Sequence, residues 1–79
     1  EKMAKVLEAL IAKGRRVKRP REQKEVAFGL ADLSTHEELV ERIVLKGGVK
    51  SFLTLLSKSS DPEAQRFAAL GLANCASAQ

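Results

Sequence analysis

Seventy-nine residues, 44% apolar and 30% charged with a net charge of +4, bound the chain to one small globular domain and exclude a disordered polymer. A chain this short buries little core for its entropy cost and ordinarily wants a staple. The single cysteine cannot form an internal disulfide, and no Cys/His group has metal-ligand spacing. Apolar runs are only a few residues long, too short to span a membrane. The expected setting is therefore cytoplasmic and/or nuclear, with the low cysteine count agreeing with a reducing compartment.

Met3, Val6, Leu7 and Leu10 recur at helical spacing and predict an amphipathic opening helix. Gly14 can stop it, and Pro20 can take the first position of the next helix. Between them runs a basic loop, Lys13–Arg21, with Lys13, Arg15, Arg16, Lys18, Arg19 and Arg21 in nine residues. The second helix, Pro20 to Leu33, carries Val26, Leu30 and Leu33 as its buried stripe, with Gly29 inside it. Glycine there costs about 1 kcal/mol against alanine, so close approach of a neighbouring backbone is the expected reason for it.

Thr35-His36-Glu37-Glu38 reads as a capping box, with Thr35 as N-cap and Glu38 at N3. Leu39, Val40, Ile43 and Val44 form one face of a short helix that Gly47-Gly48 ends. Glycine tolerates positive φ at a helix terminus. Val49, Phe52, Leu53, Leu55 and Leu56 drive the following helix, and Ser57–Ser60 is a short loop. Asp61 is a good N-cap, Pro62 suits the first helical position, and Glu63 suits the positive helix end. The last helix runs to about Ala76 with Ala64, Ala68, Leu72 and Cys75 inward.

Two of these helices are copies of one another. Pro20–Thr35 and Pro62–Ser77 align at a spacing of 42, with Pro20/Pro62, Gln23/Gln65, Ala27/Ala69, Gly29/Gly71, Leu30/Leu72 and Ala31/Ala73 identical. Lys24/Arg66, Phe28/Leu70, Asp32/Asn74 and Leu33/Cys75 are the substituted pairs. The opening helix aligns with Val49, Phe52, Leu53 and Leu56 at a shift of 46, which places four extra residues in the basic loop. A period of this length is the mark of a solenoid, whose units bury their cores against their neighbours.

The short helix, Gly-Gly break, Phe52-Leu53-Thr54-Leu55-Leu56 and the run Leu70-Gly71-Leu72-Ala73-Asn74-Cys75-Ala76 together resemble an armadillo repeat. The resemblance implies an all-α solenoid, a right-handed superhelix of short helices. Residues 1–34 would be the second and third helices of a partial repeat, and 35–79 a full one. In armadillo proteins resembling importin-alpha and beta-catenin, third helices line a groove for an extended peptide. An Asn near the helix end holds the peptide backbone, and a side chain four residues earlier packs on it. Carried over, Asn74 and Leu70 take those roles, with Asp32 and Phe28 in the upstream copy.

Arg66 and Lys24 lie one turn further back. Spacing of i, i+4, i+8 puts Lys24/Phe28/Asp32 and Arg66/Leu70/Asn74 on equivalent faces. The absence of Trp disfavours nuclear-import-signal binding, and two basic positions favour an acidic or phosphorylated segment.

The expected function is thus a protein-interaction module, with no catalytic residue, metal or cofactor. The alternatives are contact with anionic lipid or nucleic acid through loop 13–21, and a structural spacer in a longer array. Without an interleaved aromatic, the loop is a poor reader of single strands. Cys75, whose repeat mate is Leu33, is expected in the core. His36 has no nucleophile or ligand partner near it in sequence. If the chain is an excerpt of such an array, its ends expose Met3, Val6, Leu7 and Leu10 on one side and Phe67 and Leu70 on the other. Either self-association through these ends or poorly protected terminal helices is then expected.

Overall fold

A computed structural model describes residues 2–77 as five helices: α1 Lys2–Gly14, α2 Pro20–Leu33, α3 Glu37–Leu45, α4 Gly48–Lys58 and α5 Pro62–Ser77. The described residues are all-helical in regular structure and contain no strand. None of the helices is long and apolar enough to cross a membrane. The Cα radius of gyration, 11.0 Å, is near the roughly 12 Å of a compact chain of this length. The helices therefore close around one core.

That core is Leu7 and Ile11 from α1, Val26, Ala27 and Leu30 from α2, Val40 and Ile43 from α3, Phe52 and Leu55 from α4, and Ala64, Ala68 and Cys75 from α5. Burial pushes the Cys75 thiol above its ordinary pKa by desolvation, so it stays protonated and packs as a small apolar group. α5 lies against both α2 and α4, and α1 against α2 and α4. Cross-links Lys24–Glu63, Phe28–Phe67 and Ser34–Asn74 climb both helices together, so α2 and α5 run parallel, side by side.

Boundaries follow local chemistry. Pro20 and Pro62 open their helices, where a missing N–H costs nothing. The Asp61 carboxylate accepts the Ala64 N–H at 3.3 Å, an N-cap bond. Gly47 has φ +89°, a backbone that β-carbon residues rarely adopt. At Gly48 a Cβ would run into the Ile43 side chain and lie 2.8 Å from the Ile43 carbonyl oxygen. The double glycine is therefore one requirement for positive φ followed by one for close approach.

Several expectations are corrected. His36, not Thr35, is the N-cap of α3, and it makes no side-chain cap bond. Thr35 Oγ1 instead donates backward to the Asp32 carbonyl at 2.7 Å, so Thr35-His36-Glu37-Glu38 is not a capping box. Thr35→Ala should accordingly shift stability by under about 0.5 kcal/mol, where loss of a working N-cap costs about 1 kcal/mol. The urea midpoint at constant slope measures the difference.

The 46-residue register for α1 also fails. Leu7 is fully buried whereas its aligned mate Leu53 is 50% exposed, and Val6 is 52% exposed whereas Phe52 is fully buried. The connection 15–19 is two residues longer than 59–61, not four. Lys13 and Arg21 belong to α1 and α2 rather than to the loop. Val44 is exposed rather than inward. Gly29 meets no backbone: a Cβ there would touch only Leu10 Cδ1 at 3.6 Å, an ordinary contact. Gly71 is needed, but for the Phe52 ring, which a Cβ would overlap.

Candidate functional site

The expected peptide-binding residues stand on the accessible sides of α2 and α5. Phe28 is 55% and Leu70 49% exposed. Asp32 and Arg66 are exposed, while Lys24 and Asn74 are half-buried. This side is opposite Val26 and Leu30, which face the core, as the i, i+4 spacing requires.

The parallel packing of α2 and α5 adds two residues that sequence reasoning left out. Glu63 Oε1 lies 3.4 Å from Lys24 Nζ, and the Phe67 ring meets Phe28 edge-on with centroids 5.2 Å apart, a favoured aromatic geometry. Lys24, Glu25, Phe28, Glu63 and Phe67 line a shallow depression of about 310 Å³. One lysine and two glutamates give it a formal charge of −1 (+1 − 2). The Lys24 end is therefore not the basic surface expected, and of the two cations only Arg66 lacks an ion pair among the described residues. Phe67 is likewise covered by Phe28 from within the chain, not left bare.

At the other end Asn74 Nδ2 donates to Ser34 Oγ at 3.0 Å, and that hydroxyl donates to the Ala31 carbonyl at 2.6 Å. Asn74 thus ties α5 to the end of α2 as well as facing a hollow of about 260 Å³ with Thr35, Glu37 and Ser77. Part of its amide is committed to the fold.

The identity of Gln23 and Gln65 has a physical cause. Gln23 Nε2 donates to the Val17 carbonyl at 3.2 Å, and Gln65 Nε2 donates to the Ser59 carbonyl at 2.8 Å. Each amide clamps the loop six residues before it, and Val17 and Ser59 are themselves 42 apart. Ser59 Oγ donates to Gln23 Oε1 at 2.8 Å and accepts the Asp61 N–H, so one network joins both loops. Ser51 Oγ on α4 donates to the Ile11 carbonyl. A Cβ on Gly14 would stand 3.2 Å from Ser51 Cβ, so small residues set the α1–α4 approach. No buried side-chain N or O among the described residues lacks a partner.

The basic residues Lys13, Arg15, Arg16, Lys18, Arg19 and Arg21 are all exposed and form no ion pair among the described residues. Beyond the groove, Val44, Leu45 and Leu53 are exposed apolar side chains. Val44 and Val49 line an open apolar hollow of about 350 Å³ with Leu72, Cys75 and Ala76. Among the described residues no group of three or more His, Cys, Asp or Glu could hold a metal ion. No family model, curated protein or solved structure matches the chain.

Proposed function

We propose that this chain is an armadillo-type helical-repeat module of a cytoplasmic or nuclear protein. In this reading it binds an extended segment of a partner across the exposed face of α2 and α5. It is a binding module without catalytic residues or a cofactor. The observation that carries the reading is the half-exposure of Phe28 and Leu70, equivalent positions on two helices packed side by side. Single exposed apolar residues are ordinary. Two large ones at equivalent positions, one of them already in edge-on contact with Phe67, form a strip that an extended chain can cover with alternate side chains. Asp32 can accept a backbone N–H, and Arg66 can take an acidic side chain at its end of the strip. The Lys24–Glu63 pair confines any acidic preference to the Arg66 side.

A phage-displayed library of extended peptides, followed by calorimetry on the selected binder, tests this. Phe28→Ala and Arg66→Glu should each weaken the peptide by more than the roughly 0.5 kcal/mol of a neutral surface change. Asn74→Ala should lower both affinity and stability, because its amide also holds Ser34. Peptide-induced amide shifts confined to α1, α3 and α4 would refute the groove.

A further inference from the structure

A second site lies outside the groove, where the α1–α2 loop meets the end of α4. Gly14, Arg15, Arg16, Lys18, Thr54 and Lys58 line a cleft of about 240 Å³ together with Val17, Gln23 and Leu55, and no acidic residue reaches it. Sequence reading grouped the loop cations as one run. It did not bring Lys58, on another helix 40 residues from Lys18 in the chain, beside them.

Four like charges around one space need an account. Part of it is the fold, because α1 and α4 end here at Gly14 and Lys58. Arg15 Nη1 also lies 3.8 Å from the Cβ position of Gly47, but Gly47 follows the end of α3 and caps the start of α4, so the opposite dipole ends cancel there. Each helix C-terminus carries about −0.5 charge, so the ends of α1 and α4 offset roughly −1 of the +4. About +3 is left, with no carboxylate in the cleft and no ion pair made by these four side chains among the described residues. A single phosphate brings about −1.5 to −2 and two bring about −3 to −4. We infer that this cleft binds a compact group bearing two neighbouring phosphates, of the inositol-polyphosphate kind. Arg15 and Arg16 would supply forked donors, and Lys18 and Lys58 point charges. No aromatic side chain lines the cleft, so it offers no stacking platform for a nucleic-acid base.

The loop's attachment supports a formed site. Arg16 and Val17 N–H groups both bond the Lys13 carbonyl, and Gln23 clamps the Val17 carbonyl, so the cations sit on a braced turn.

The test titrates the chain with free inositol 1,4,5-trisphosphate, followed by amide shifts. Parallel arms use phosphatidylcholine vesicles with and without phosphatidylinositol 4,5-bisphosphate, and a single-stranded oligonucleotide. The site requires shifts at 14–18 and 54–58. It also requires that Lys58→Gln and Arg16→Gln each weaken the trisphosphate by roughly fivefold or more, with unchanged helicity. Arg19→Gln and Arg21→Gln, outside the cleft, should cost less than twofold. Equal affinity for the free headgroup and the doped vesicles assigns a soluble ligand, and tighter vesicle binding assigns a lipid. Losses from Arg19→Gln and Arg21→Gln equal to that from Lys58→Gln, absence of trisphosphate binding, or tighter oligonucleotide binding would each overturn the proposal.

Discussion

Phe52→Ala should cost about 3–5 kcal/mol, the range for truncating a buried aromatic. For a chain of 79 residues, total stability is on the order of 4–12 kcal/mol, so this one change removes a large share of it. Phe52 is the largest fully buried side chain, and its ring lies over Gly71 of α5. The surface facing the ring has no β-carbon there that could move into the space left behind. The site can collapse little, which puts the cost toward the upper end of the range. Thermal unfolding followed by circular dichroism measures it. A loss below about 1.5 kcal/mol would show that α4 and α5 repack freely and that Phe52 is not what joins them. Leu53→Ala, the neighbouring residue at 50% exposure, should cost less than a third as much. The sequence alone does not separate these adjacent apolar residues.

That pair also marks how far the sequence was legible. The helices were readable where a boundary has a local cause: Pro20, Asp61-Pro62 and Gly47-Gly48 act within one turn of themselves. The accessible side of α2 and α5 was readable because helical spacing alone separates Phe28 and Asp32 from Val26 and Leu30. Thr35 was misread because two adjacent residues, Thr35 and His36, compete for one cap position. Which of them takes it depends on where the chain leaves α2. Nothing local distinguishes Val6 from Leu7 or Leu53 from Phe52 either, since in each pair both are apolar and tertiary contact decides which turns inward.

The pairing of Lys24 with Glu63 and of Phe28 with Phe67 needed the stagger of two parallel helices, which no single segment encodes. Ser51 and Gln23 are polar and were passed over as core. Their burial is permitted only because specific carbonyls, of Ile11 and Val17, stand ready to accept from them.

Gly29→Ala and Gly71→Ala should change stability in opposite directions, although the two glycines are equivalent under the 42-residue repeat and both lie inside a helix. Alanine gains about 1 kcal/mol over glycine in a helix interior. At Gly29 the new methyl would meet only Leu10 Cδ1 at 3.6 Å, ordinary contact distance, so most of that gain survives and the variant should be more stable by about 0.5–1 kcal/mol. At Gly71 the methyl would overlap three edge atoms of the Phe52 ring. That ring is enclosed on all sides and has no solvent to swing into. Overpacking of this kind costs about 1–3 kcal/mol, and the methyl fouls the ring at three atoms at once, which puts the cost in the upper part of that range and the net effect at a loss of about 1–2 kcal/mol after the helix gain.

The cause can be isolated by a double-mutant cycle. In a Phe52→Ala background the obstruction is gone and the methyl enters the vacated space, so Gly71→Ala should become stabilising. Equal effects of Gly71→Ala in both backgrounds would show that the ring is not the reason glycine occupies that position.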